Sequence, residues 1–157
     1  MKKTPIPSPV SSELQTKTVG LLQPVVADLK GLYDAGKQAH WLIMGELFNQ
    51  LHGLFESIAQ SAADYVDTIA ERLVTLNGVP ERKISDLAIG EDRDGHMLAQ
   101  QMEDAVLAVA QTVAKAQAEC LAAGEQVTAN MLMEVGEGLQ KWLWQLHAYV
   151  VEEDESA

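Results

Sequence analysis

From Leu47 to Leu76 the apolar residues Leu47, Leu51, Leu54, Phe55, Ile58, Ala62, Tyr65, Val66, Ile69, Leu73 and Leu76 recur at helical spacing. A stripe held over so many turns specifies one amphipathic helix, roughly 45 Å long at the usual rise per residue. Such a helix buries one face only, so it needs neighbours of similar length: the signature of a helix bundle. The rest of the chain supplies them. Residues 13–43 carry Leu22, Val25, Val26, Leu29, Tyr33, Gly36, His40 and Ile43 on one face, and Pro24 predicts a start or bend near it. A third helix is expected from Asp94 to Ala122, with Met97, Leu98, Met102, Val106, Val109, Val113 and Leu121 inward and Gly124 ending it. A fourth is expected from Thr128 to Val151 through Met131, Leu132, Val135, Leu139, Trp142, Leu146 and Tyr149. Gly45–Gln50 reads as the first turn, and Asn77-Gly78 with Pro80 beyond stops the second helix. Residues 79–93 are too long for a tight turn, which predicts a crossover between helices running the same way, with a short helix over Ile84–Ala88. No strand pattern, repeat or Gly-rich phosphate loop is present. The expectation is an all-α four-helix bundle over 13–151, with a flexible Pro- and Ser-rich tail at 1–12 and an acidic tail at 152–157.

The second helix also carries chemistry. His52 and Glu56 are four residues apart, as are Asp67 and Glu71, so each pair shares a helix face. Each member of one pair lies fifteen residues from its counterpart in the other. That is roughly 22 Å along a helix, too far for one cluster. A second copy packed antiparallel about a two-fold axis would set Asp67 and Glu71 beside the first copy's His52 and Glu56, giving two equivalent sites per dimer. Ala59, Ala63, Ala70 and Val74 share the flank of the candidate ligands, small enough for close helix approach. His40 precedes the turn and His52 follows it, so the two histidines act as a pair. Imidazole with carboxylate suits borderline first-row metals, iron among them. No cysteine contributes, which excludes a structural thiolate zinc site. Hydrolysis by a Ser/His/Asp set has no nucleophile elbow to support it. The Glu-x-x-His pairs of intra-bundle di-iron proteins are absent, so a site here belongs between subunits.

Overall charge agrees with a cation as partner. At −12 the chain opposes a generic nucleic-acid surface, and only Lys2 and Lys3 in the tail favour one. The single Cys120 excludes an internal disulfide and fits a reducing compartment and a core position. The first residues, MKKTPIPSPVSS, lack the apolar stretch of a signal peptide, and no run approaches a membrane span. The expected setting is the cytoplasm.

Four stretches resemble one family. KQAHW, LHGLFE and DYVDTIAERLVTLNG, with TANMLMEVGEGLQKWLWQLHAYV near the end, are similar to the Dps miniferritins, named as DNA-binding proteins from starved cells, over roughly residues 18–150. The resemblance implies ferritin-like bundles assembled as a hollow dodecamer. It implies a ferroxidase that oxidises Fe(II) at the two-fold interface, with hydrogen peroxide as preferred oxidant, and stores ferric mineral inside. It places the metal ligands at His40, His52, Glu56, Asp67 and Glu71, with Trp41 as a radical interceptor beside them. The family usually has aspartate where Glu56 stands, and Asn and a basic residue where Leu42 and Met44 stand. These departures keep one alternative open, a miniferritin whose altered site holds another metal such as zinc, and the lysines of the tail keep open another, a DNA-condensing stress protein.

Other residues are assigned duller roles. Trp142 and Trp144 are expected to pack, and His147 to sit at the surface or cap a helix, with an extra metal contact as its alternative. His96 has no evident partner. Glu125, and more weakly Glu134 and Glu137, are candidates for an acidic pore, with an ordinary solvated acid at a helix N-terminus as the alternative for Glu125.

Overall fold

The computed structural model describes residues 4–150. They form four helices, α1 (Ser12–Leu42), α2 (Phe48–Thr75), α3 (Gly95–Ala122) and α4 (Gln126–His147), with no strand among the described residues. Side-chain caps start three of them: Ser11 accepts from the Leu14 amide, Asp94 from Met97 and Glu125 from Thr128. Two end in left-handed residues. Asn77 (φ 64°) closes α2 with the Gly78 amide bonded to the Leu73 carbonyl. Gly124 (φ 80°) closes α3 with the Glu125 amide bonded to the Cys120 carbonyl.

Helices α1 and α2 form one antiparallel hairpin and α3 and α4 another, with α1 packed against α3. Phe55, Leu22, Leu29, Leu32, Ile58, Ile69, Leu73, Leu98, Met102 and Leu132 are fully buried between them. Each contributes about 1.5–3 kcal/mol by leaving water. α2 and α3 run the same way, as the long connection predicts. Gly95 opens α3 against Leu47 and Leu51 at the start of α2, and Glu125, just past α3, meets Arg72 near the end of α2.

Several expectations are corrected. No helix forms over Ile84–Ala88. The crossover lies along α1 and gives its polar groups to that helix instead: Ser85 donates its amide to the Ala27 carbonyl and its hydroxyl to Asp28, and Lys30 donates to the Glu81 carbonyl. Gly31 permits this approach, because a Cβ there would run into the Ser85 carbonyl. Pro24 does not start α1, which begins at Ser12 and passes through it. The carbonyl that loses its partner belongs to Gly20, and both residues are exposed, so water can reach it. α2 begins at Phe48, inside the expected turn, because the Phe48 amide bonds back to the Gly45 carbonyl and Leu51 to Leu47. α4 stops at His147, with only turns at Ala148 and Tyr149. Tyr33, Met97 and Leu121, expected inward, are exposed. The expected acidic tail, Val151, and the tail lysines Lys2 and Lys3 lie outside the described residues. In residues 4–11, Ile6 is tied on both sides of its peptide unit by the Asn77 side chain.

Candidate metal centre

The tight turn between α1 and α2 sets His40, in the last turn of α1, against His52, in the second turn of α2. Their rings stack with centroids 3.7 Å apart and 18° between planes. Each Nδ1 reaches the other residue's backbone carbonyl, at 2.7 Å from His40 and 2.9 Å from His52. A carbonyl only accepts, so each Nδ1 carries the proton. In the neutral ring each Nε2 therefore keeps its lone pair, the form a metal requires. The exchange also serves the fold, because the His40 carbonyl is among those a helix leaves unpaired at its C-terminus. Phe48 stacks on the outer face of His52 at 4.7 Å, restraining the ring from the other side.

Glu56 lies one turn beyond His52. His40 Nε2 is 3.6 Å from its Oε2. The Lys37 ammonium sits on that same oxygen at 2.5 Å, and Gln60 donates to Oε1 at 3.0 Å. The Lys37 hydrogen bond, then that from Gln60, holds the Glu56 carboxyl below its ordinary pKa of 4.5. The carboxylate is thus ionised and accepting at neutral pH. Lys37 also stands 5.7 Å from the centre of the Trp41 ring, which is 65% exposed beside the site.

The structure brings His40, His52 and Glu56 together, with Trp41 adjacent, but leaves Asp67 and Glu71 on exposed positions farther along α2. Among the described residues no three His, Cys, Asp or Glu side chains converge on a metal position within the chain. Of the flanking small residues, Ala59 is buried against Gly36 of α1 rather than on an outer face, a correction to the expected stripe. Val74 is exposed, and Ala63 lines an apolar hollow with Tyr33, Val66 and Ile84. Glu125 is corrected most sharply. It is 2% exposed, caps α4, and pairs with Arg72 at 3.1 Å, so it is a structural acid and not a solvated one. His147 donates from Nδ1 to the Glu103 carboxylate at 2.8 Å and is otherwise exposed. His96 donates from Nδ1 to the Tyr149 carbonyl, tying the start of α3 to the end of the chain's described part. Trp142 packs and donates to the Ser61 hydroxyl at 2.8 Å, whereas Trp144 is 75% exposed, against expectation. Cys120 is fully buried, and burial pushes its thiol up to about 11.

Sequence reasoning missed Lys37, Gln60 and Phe48. Gln60 was within reach of it, being four residues past Glu56 on the same face. Lys37 is nineteen residues from Glu56, and only the hairpin brings them together.

A bundle of two helical hairpins joined by a long crossover, with histidines and carboxylates gathered on the first hairpin, defines a class, and residues 19–155 match the family model described as Ferritin-like domain. A DNA protection during starvation protein of Porphyromonas gingivalis is 30% identical over 135 residues, spanning 82% of this chain and 85% of that one. DpsC of Streptomyces coelicolor superposes with a TM-score of 0.87 at 23% identity, over 98% of this chain and 95% of the other. A Dps protein of Vibrio cholerae, described as a member of a broad superfamily of ferritin-like diiron-carboxylate proteins, gives 0.83 at 20% identity over 94% and 99%. The chain belongs to the ferritin-like family and, within it, to the Dps proteins.

Proposed function

We propose that this protein is a ferroxidase and iron store. It takes up Fe(II), oxidises it at sites shared between two subunits, and retains ferric mineral inside a hollow dodecameric shell. The observation that carries the reading is the reciprocal lock on His40 and His52, which presents two basic Nε2 atoms beside an ionised Glu56. Two imidazoles and a carboxylate fit Fe(II), and they also fit Zn(II), which is expected as a competitor. Asp67 and Glu71 of the partner subunit complete the donor set when two α2 helices pack antiparallel, which accounts for the exposure of those acids in one chain. Hydrogen peroxide is the proposed oxidant: two Fe(II) each give up one electron, the O–O bond breaks, and two protons are taken up to leave two waters. The exposure of Trp41 at the edge of the site supports a role for it in reducing stray oxidising radicals.

The relatives' name refers to DNA. At a net charge of −12 this chain repels phosphate, so we assign protection to removal of Fe(II) and peroxide rather than to coating of DNA. Among the described residues no helix is long and apolar enough to cross a membrane.

Stopped-flow absorbance of ferric product tests the reading. Wild-type protein should oxidise Fe(II) rapidly with peroxide and more slowly in air. A variant carrying His52→Ala and Glu56→Ala should fall to the protein-free rate while keeping the wild-type molecular mass. Wild-type kinetics in that variant would overturn the assignment of the site.

A further inference from the structure

We propose that Asn77 is a modification site: loss of ammonia at Asn77-Gly78 turns the residue into an acid and releases the N-terminal arm, residues 4–11, that its side chain holds.

The arm hangs on one carboxamide. The Ile6 amide donates to Asn77 Oδ1 at 2.7 Å, and Asn77 Nδ2 donates to the Ile6 carbonyl at 3.1 Å and to Gln15 Oε1 at 2.9 Å. Gln15 in turn donates from Nε2 to the Val10 carbonyl at 2.7 Å, which fastens the far end of the arm. The Ile6 N–H can only donate, so the orientation of the Asn77 amide is fixed, and its acceptor and both its hydrogens are all used. Aspartate keeps the acceptor and loses both donors. Its second oxygen, sharing a negative charge, would face the Ile6 carbonyl and Gln15 Oε1, which are acceptors too. Gln15 can turn its amide over to donate to that oxygen, but it then presents Oε1 to the Val10 carbonyl and drops the second fastening.

Asn77 is exposed, so water reaches it, and glycine follows it, the neighbour that hinders ring closure least because it has no side chain. In the reaction the Gly78 amide nitrogen bonds to Asn77 Cγ and the Cγ–Nδ2 bond breaks. Nδ2 leaves as ammonia, taking the Gly78 amide proton. Water then opens the cyclic imide at either carbonyl, which leaves aspartate or isoaspartate. In the closed fold the attacking nitrogen is occupied. It is bonded to the Leu73 carbonyl at 3.0 Å, and Gly78 packs so closely that a Cβ there would lie 2.7 Å from both Leu73 and Val19. The docked arm also immobilises the carboxamide that must be attacked. Ring closure therefore waits for the arm to lift and the end of α2 to open. Docking slows the reaction and reaction ends docking, so the change runs one way and marks chains that have opened.

Ageing of the full-length protein at neutral pH tests this, with Asn77 followed by peptide mass spectrometry and the arm by hydrogen exchange at the Ile6 amide. Wild type should deamidate slowly at Asn77, and the aged fraction should lose protection at Ile6. Gln15→Ala, which removes the bonds to Asn77 and Val10, should deamidate about tenfold faster. Fresh Asn77→Asp should exchange at Ile6 at least about tenfold faster than wild type. Asn77→Gly suits the left-handed backbone (φ 64°) and lacks the side chain, so it should free the arm as well, with wild-type helical circular dichroism. Wild-type protection of Ile6 in either Asn77 variant would overturn the release. Equal deamidation in wild type and Gln15→Ala, or none in either, would overturn the modification site.

Discussion

Replacing Glu125 with alanine should cost about 3 kcal/mol of stability, and the sum can be worked from its contacts. The Glu125 side chain accepts from the Thr128 amide at 3.1 Å and from Arg72 Nη2 at 3.1 Å, while Arg72 Nε donates to the Thr128 hydroxyl at 2.9 Å. Loss of the N-cap accounts for roughly 1 kcal/mol. Breaking a fully buried ion pair costs about 3–5 kcal/mol because the remaining charge is stranded. The Arg72 side chain is 16% exposed and keeps its bond to Thr128, so water recovers part of that loss and about 2 kcal/mol remains. Glu125→Gln keeps an acceptor for the Thr128 amide and should lose only about 1–2 kcal/mol, the charged part of the Arg72 bond. Urea unfolding followed by helical circular dichroism would measure both, at one fixed protein concentration because assembly stabilises by mass action. A loss below about 1 kcal/mol in Glu125→Ala would refute the reasoning. Cobalt uptake by Glu125→Gln should match wild type, since a carboxylate locked by Arg72 does not line an ion path. Slowed uptake would restore the pore role.

Two further outcomes follow from the packing. Gly31→Ala places a Cβ against the Ser85 carbonyl, so the crossover must lift from α1, with a loss of about 1–3 kcal/mol and faster hydrogen exchange at the Ser85 amide; unchanged exchange would refute the close approach. Cys120 remains a thiol in the fold to about 11, against an ordinary 9.0. The unfolded chain therefore gives up this proton first, and stability falls as pH rises between those two values. Urea midpoints across that range should decline less steeply in Cys120→Ala than in wild type, and parallel declines would remove Cys120 as the cause.

Much of the fold was legible because helix periodicity is a local property. The stripe from Leu51 to Leu76 is buried at Leu51, Phe55, Ile58, Ala62, Ile69, Leu73 and Leu76, and Asn77-Gly78 stops α2 as its residue types predict. The failures share a cause. Ile84–Ala88 has residues able to form a helical turn, but the α1 surface, with Gly31 opening a gap for Ser85, offers its backbone a different set of bonds. Glu125 reads as a solvated acid at a helix start, and only the meeting of the α2 and α4 ends reveals Arg72 as its partner. His40 and His52 were legible as a pair, yet their stacked rings and exchanged carbonyl bonds were not, because those depend on the angle at which α1 meets α2.

The amino-acid order by itself determined the four long helices, the stops of α2 and α3, and which imidazoles and carboxylates lie on common faces, since all of these follow from spacing within one helix. Only the tertiary structure decided which proton each histidine carries, which cation rests on Glu56, and which acid is buried. Those depend on groups far apart in the chain, such as Lys37 with Glu56 and Arg72 with Glu125, whose distances are set when whole helices pack and not before.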